Sequence, residues 1–531
     1  MANTLEKSGR LLLWGAPLVF VAVLFYLPLF SILKIGLADN WLATLATAKA
    51  ANLIGFTIGL ALVATAACLL LGLAGAYLLY RKDFIGVRLV RAVITVPFVL
   101  PVIVVAISFA GLRNLPGILL AMVFINFSIT TRAVGSQWLS LDNAAEEAAA
   151  LDGAGRFRTF WSIALPQLRS SIISAACLTF LYCVSSFGIV LVLGGGLVHS
   201  IETEIYTSAL SFLDLKTASA LSLVQLAITL LAFVLSGALS KQSLGLSVIE
   251  TEKQQPRLDR RDWPVIALGL AALAPLVSAP IVFVFTQAFS RAGVFSLANF
   301  GDLAGRGSRG LLDITVLEAT ENSLRNALIS TLLATALGLL VSVLLHRTKN
   351  RAFQATMDFV FLLPIGVSMV IIGLGYLLTF SSEPLALRSS WLVVPIAQTL
   401  AALPLVIRLV FPALQALDPG LAEAAATDGA GPTRIWWSIE LPMIRTAVQT
   451  AIGFAAVASI GEFGAASFLA YGDQATLPTV LYRLISRPGT QNYGMAMAVS
   501  ASLIALTFAT VLAISWRSLR STGLRSNQLG Q

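Results

Sequence analysis

Charge is scarce in this sequence: charged residues make up 11% of its 531 positions, against 57% hydrophobic. A soluble domain carries about 25% charged residues to cover its surface, so the composition excludes an ordinary water-soluble fold. Cysteine and histidine are scarcer still, at three and two. Cys68, Cys177 and Cys183 all lie in apolar runs and pair with no histidine at ligand spacing, which argues against a metal centre and suits small buried apolar residues. No Gly-x4-Gly-Lys-Ser/Thr phosphate loop occurs anywhere, so any ATP chemistry belongs to another polypeptide. No nucleophile–base arrangement is visible either, which sets aside a membrane enzyme. The net charge of +9 would suggest nucleic acid in a soluble protein. Here no basic tract carries the stacking aromatics of a nucleic-acid groove, and none is expected as a partner.

What is present is length without charge. Apolar runs fall at about 11–37, 52–80, 89–111, 116–139, 170–193 and 218–239, and again at about 264–289, 323–346, 355–380, 390–413, 446–471 and 493–516. Each can supply the roughly 20 apolar residues that a helix needs to cross a bilayer. The first run is too long for a signal-peptide core and lacks a clear cleavage site, so it is expected to remain as a helix. Between the two sets lies a polar stretch, 241–262, with Glu250, Glu252, Lys253, Arg257, Asp259, Arg260 and Arg261 around Pro256. The pattern predicts an all-α membrane protein of twelve transmembrane helices: a six-helix domain over 1–240, a linker over 241–262, and a second six-helix domain over 263–531.

Orientation follows from the loops. Arg81, Lys82, Arg88 and Arg91 follow the second run, Arg156, Arg158 and Arg169 the fourth, Arg347, Lys349 and Arg351 the eighth, and Arg434 and Arg445 the tenth. An even span count places all of them on one side with Lys7, Arg10, the linker and the tail. The positive-inside rule makes that side the cytoplasm, so both termini are expected there.

The two sets of runs are copies. Residues 141–166 read LDNAAEEAAALDGAGRFRTFWSIALP and residues 417–442 read LDPGLAEAAATDGAGPTRIWWSIELP, with sixteen of 26 positions identical and no gap. The same offset of 276 residues pairs Arg132 with Arg408, Phe187-Gly188 with Phe463-Gly464, and Tyr206 with Tyr482. Six-helix copies share one membrane orientation and are related by an axis along the membrane normal. The pathway is expected between them.

Within each copy the repeated loop (about 140–168 and 416–444) has its own physics. Glu147 to Ala150 and Glu423 to Ala426 favour helix. Gly153 and Gly429 sit six residues after each Glu, where a short helix would stop. Trp161, Trp436 and Trp437 supply aromatic anchors, and Pro166 and Pro442 are expected to end a segment before the next span. One reading is a well-packed membrane-edge loop. The other is a small-residue face with one acidic handle, open to close approach by a second protein.

Glu-Ala-Ala, Gly six residues after the Glu, then Ile-x-Leu-Pro resembles the cytoplasmic signature of the permeases of binding-protein-dependent ABC importers, and both copies match in full. The resemblance implies the type-1, MetI-like permease fold, two tandem pseudo-symmetric six-helix domains in one chain. It implies that each loop is a coupling helix that docks in a groove of a cytoplasmic ATPase. It assigns that role to Glu147, Ala148, Ala149 and Gly153 and to Glu423, Ala424, Ala425 and Gly429. The partners implied are two ATPase subunits, which bind the ATP and Mg, and an extracytoplasmic solute-binding protein. No cofactor or metal is expected in this chain.

Ionisable groups inside spans are rare and functional by default. Arg132 and Arg408 are expected toward the inner mouth, as a gate or charge pair, or as snorkelling side chains with structural bonds. Glu462, flanked by Gly461 and Gly464 with Ser186 as its counterpart, would either line the pathway and favour a cation or be bonded inside the bundle at a local helix break. The outer segments 201–206 and 477–482 are expected to form short helices that meet the binding protein. His199, Glu202 and Glu204 there read as polar surface rather than a metal site.

Fused double-length permeases of this kind resemble the ferric iron and thiamine importers, and the residues do not choose between these solutes. The alternative class is a secondary transporter of the major facilitator kind, which also has twelve spans in two repeats.

Overall fold

The computed structural model describes residues 13–38, 41–112, 114–141, 144–239, 258–259, 262–381, 387 and 390–526. Most of the linker expected at 241–262, and both chain termini, lie outside the described residues. The first half runs through α1 (Leu13–Gly36), α2 (Ala48–Tyr80), α3 (Val87–Val99), α4 (Val102–Ser108) and α5 (Asn114–Ser140). It continues with α6 (Ala144–Leu151), α7 (Leu165–Val184), α8 (Phe187–Leu193), α9 (Ile201–Leu210) and α10 (Leu215–Leu239). The second half repeats this order as α11 (Trp263–Ala288), α12 (Val316–His346), α13 (Arg351–Leu362), α14 (Met369–Thr379) and α15 (Val393–Gln415). It ends with α16 (Pro419–Thr427), α17 (Leu441–Gly461), α18 (Ala466–Leu469), α19 (Leu477–Ser486) and α20 (Thr490–Ser526).

Among the described residues, ten helices are long and apolar enough to cross a membrane, and twelve if each of two bent pairs counts as one. The bent pairs fall at the third and ninth runs, which the sequence pattern gives as uninterrupted. In the first half the chain turns by 102° between α3 and α4. Leu100 precedes Pro101 and takes an extended backbone, φ −66° and ψ 140°. The proline ring disfavours a helical conformation in the residue before it. In the second half the turn is 95°, and Ser368 restarts the helix by accepting the Val370 N–H at 3.2 Å. Periodicity alone does not register such breaks, because the residues on both arms are equally apolar.

A second difference concerns Pro166 and Pro442. Neither ends a segment. The helix runs continuously from Phe157 to Val184 and from Pro432 to Gly461. Each proline sits just after one widened, π-helical turn, Phe160–Ala164 and Trp436–Glu440. The wider turn shifts the hydrogen-bond register where the proline has no N–H to give.

Close packing joins α2 to α5 and, in the second half, α12 to α15. A Cβ on Gly72 would come within 2.5 Å of Thr130 Cβ, and one on Gly338 within 2.6 Å of Val406 Cγ1. Only glycine permits these backbones to approach so closely.

The first helix of each half crosses to the other. On α1, Trp14 packs its ring against Phe353 and Phe361 at 5.8 and 6.0 Å, and Tyr26 donates to the Val360 carbonyl at 3.3 Å. On α11, Leu273 and Val277 are buried with Cys68, Leu79 and Tyr80 of the first half. The halves are therefore interlocked, and the largest apolar core contains residues of both.

Candidate functional site

Two regions draw together the residues that the sequence singles out: a pair of hairpins at one end of the bundle and a cavity between the halves.

In each hairpin a short helix stops at a glycine. The Gly153 and Gly429 backbones have φ of +81° and +85°, a left-handed conformation that side chains rarely adopt. Ala154 then donates to the Ala149 carbonyl and Ala430 to the Ala425 carbonyl, both at 2.9 Å. This is the bonding of a helix closed by a left-handed glycine. Nothing lies within 4 Å of a Cβ built on either glycine, so both hairpin tips face open space. Glu147 and Ala148–Ala149 lie on α6. Glu423, Ala424 and Ala425 lie on α16, where Glu423 and Ala424 are exposed and Ala425 is half-buried. Asp418 caps α16 by accepting the Gly420 N–H at 2.9 Å. Trp161 and Trp437, equivalent positions, are both exposed, while Trp436 packs against the core of its half.

Each hairpin is tied to the end of a long helix by an ion pair. Arg81, just past α2, pairs with Glu146 on α6. Arg347, just past α12, pairs with Glu440 at 3.0 Å. The partners differ in register: Glu440 corresponds to Ala164 in the first copy, and Glu146 to Ala422 in the second. Glu440 and Glu146 did not stand out in the sequence. The basic residue closing each long apolar run was the available signal.

Between the halves lies a cavity of about 310 Å³. The first half contributes Asn126, Ser128 and Arg132 of α5, Tyr182 of α7, and Ser185 and Ser186. The second contributes Leu405 and Arg408 of α15 and Val457, Ala458 and Gly461 of α17. Arg132 and Arg408 therefore come to one cavity, each half-buried. Ser186 also faces it, and its hydroxyl donates to the Tyr182 carbonyl at 2.9 Å.

Glu462 does not line the cavity, although its neighbour Gly461 does. The helix breaks there: Glu462 has φ −67° and ψ 121°. Its carboxylate accepts the N–H groups of Ala465 at 2.7 Å and Ala466 at 3.1 Å. The charge is spent on the orphan donors at the start of α18.

Next in sequence to the lining residue Ser186 lies an aromatic stack that joins the two halves. Phe187 and Phe463, equivalent residues of the two copies, stack at 5.4 Å with 20° between planes. A residue that contacts its own counterpart must lie beside the axis relating the copies, so the axis passes between these rings. Tyr206 leans on Phe187 at 5.3 Å and Tyr482 on Phe463 at 5.7 Å. By chain order along α5 and α7, the cavity lies between this stack and the hairpins. In the sequence these phenylalanines mark only the repeat register.

The outer segments form the short helices α9 and α19, largely buried among the spans. Each begins on the same contact: Thr57 Oγ1 accepts the Ile201 N–H at 3.0 Å, and Ser323 Oγ accepts the Leu477 N–H at 2.7 Å. Glu204 is paired with Lys49 at 2.6 Å and Glu202 accepts from Gln225 at 3.1 Å. Among the described residues, no three His, Cys, Asp or Glu side chains cluster as a metal site.

Comparison with known proteins gives the two halves a common description. "Binding-protein-dependent transport system inner membrane component" matches residues 69–245 and again 334–520. The ferric transport system permease protein FbpB of Actinobacillus pleuropneumoniae is 25% identical over 75% of this chain and 58% of its own length. The thiamine transport system permease protein ThiP of Haemophilus influenzae is 22% identical over 94% of this chain and 95% of its own. ThiP of Brucella abortus is 27% identical over 85% of each.

Proposed function

The chain belongs to the family of binding-protein-dependent transport system inner membrane components, and from that premise we propose that it forms the solute pathway of an ATP-driven importer. Its two permease halves lie in one polypeptide. The cavity between them is the pathway, and the hairpins of α6 and α16 are where ATP hydrolysis elsewhere is coupled to movement here. The observation that carries this reading is the pair of exposed hairpins, each closed by a left-handed glycine and each tied to a long membrane helix. The double family match sets aside the major facilitator alternative, which has no use for this duplicated loop.

Two hairpins call for two ATPase subunits, which bind the ATP and Mg. Glu147 and Glu423 provide the acidic handles toward them, and Ala148, Ala149, Ala424 and Ala425 the close-fitting surface. The basic loops support a cytoplasmic position for the hairpins and both termini, with a solute-binding protein delivering cargo from the other side. The relatives support a small solute of the ferric iron or thiamine kind.

Reconstitution of the permease with its ATPase and binding protein in vesicles tests the reading. ATP-driven uptake should resist ionophores. Glu147→Ala with Glu423→Ala should lower both uptake and stimulated ATP hydrolysis at least tenfold, as expected for paired interface anchors, with the permease still folded. Unchanged uptake in the double variant would remove the coupling assignment. Uptake without ATPase that collapses with ionophore would remove the importer class.

A further inference from the structure

We propose that the cavity between the halves takes its cargo by an anionic group, a phosphate ester or a carboxylate, held between the guanidinium groups of Arg132 and Arg408. The inference rests on the reading of this cavity as the pathway and names the chemistry it selects.

The cavity lining contains two arginines and no carboxylate. Among the described residues, neither arginine has a hydrogen bond or an ion pair; the contact found is Arg408 stacked over the Phe233 ring at 5.9 Å. Asp358 attracts Arg408 electrostatically, but it does not line the cavity and lies beyond ion-pair distance. Arginine at membrane depth is costly unless a partner or water compensates it. Snorkelling would explain one such residue. Two arginines at equivalent positions, one from each half, facing one cavity across the pseudo-twofold axis, form a clamp whose natural complement carries negative charge.

The remaining polar lining agrees. Ser128 lines the cavity, and its buried Oγ has no hydrogen-bond partner among the described residues. Tyr182 brings a phenol to the same wall. The one acid that sequence reading offered as a cation selector, Glu462, is turned away and engaged by backbone N–H groups. A bare ferric ion or an unmodified organic cation would meet two like charges and no carboxylate on the cavity lining. A ferric ion wrapped in carboxylates, or a cation carrying a phosphate, would present the required group.

The test uses the full permease with its ATPase subunits in lipid nanodiscs at fixed chloride, with calorimetric titration of inorganic pyrophosphate, citrate and tetramethylammonium. Pyrophosphate or citrate should bind and tetramethylammonium should not, and the tighter anion identifies the phosphate or carboxylate source. Arg132→Gln and Arg408→Gln should each weaken anion binding about tenfold or more, and the double variant should abolish it. Arg132→Lys with Arg408→Lys, which keeps both charges, should retain part of it and guards against loss through misfolding. Equal anion affinity in the double Gln variant, no anion binding by the wild type, or binding of tetramethylammonium in preference to the anions would each overturn the proposal. ATPase stimulation in the same samples reports on the importer reading separately, so either can fail alone.

Discussion

The two halves solve the same mechanical problem with different chemistry. Each sends its first helix across to the other half. The first half secures α1 with apolar rings, Trp14 on Phe353 and Phe361. The second secures the start of α11 with charge: Asp262 meets Lys82 Nζ at 2.8 Å and accepts the Tyr77 hydroxyl at 2.7 Å. The hairpins differ in the same way. Arg81 reaches a glutamate on the short helix, whereas Arg347 reaches one a helical segment later. The repeat has kept positions and forces while the side chains that exert them have moved. A copy of a fold is constrained by where helices must be held, not by which residue holds them.

The crossing helices offer the strongest way to break this equivalence. Asp262→Asn leaves Lys82 buried without its counter-charge and should cost about 3 kcal/mol. Trp14→Ala should cost a similar amount, about 3 kcal/mol, through lost packing. The two should part company with pH. Burial works against the Asp262 charge, but the Lys82 ammonium, the Asp259 N–H and the Tyr77 hydroxyl outweigh it and hold the carboxyl at about 2, below its ordinary 3.8. A carboxyl lowered on folding contributes stability that is present in full above its unfolded value. That contribution is lost as pH falls from about 3.8 toward about 2. Thermal unfolding across that window should show an acid-sensitive component in the parent and in Trp14→Ala, and a smaller one in Asp262→Asn. Identical pH profiles in all three would mean that the ionic contact is not holding α11.

The hairpin glycines test the part of the comparison where the halves should agree. Gly153→Ala and Gly429→Ala each force a side chain into a left-handed backbone, at about 1 kcal/mol. Hydrogen exchange should speed up locally in α6 or α16 by a similar factor in each. A large difference would show that one hairpin carries more of the load.

The smallest effect sharpens the comparison most. Glu146→Gln and Glu440→Gln should each lower ATPase stimulation about two- to threefold, the scale of a partly exposed ion pair. Moving the first-half anchor to the second-half register, with Glu146→Ala and Ala164→Glu together, should recover much of that loss. No recovery would mean that the two tethers are not interchangeable.

The helices, their number and the hairpins were legible because their signals are local. A run of apolar residues must span or be buried, and Glu-Ala-Ala followed by glycine at a fixed distance writes a helix and its stop within one loop. The breaks after Val99 and near Ser368 were not legible, since the residues on either side are as apolar as those of a straight span. The role of Glu462 was open for a related reason. An acid beside glycines in a span suits a pathway or a helix cap equally, until the Ala465 and Ala466 N–H groups are seen to point at it.

The sequence by itself determined that this chain lives in a membrane, that it is built twice, and that each copy presents a closed hairpin at the same end. Those are consequences of composition and short-range pattern. Only the tertiary structure decided that Phe187 meets Phe463 on the axis, that Arg132 and Arg408 share a cavity, and that Glu462 does not. Each of these joins residues far apart in the chain or fixes a side-chain direction, and such choices follow from the packing of whole helices rather than from any residue's neighbours in sequence.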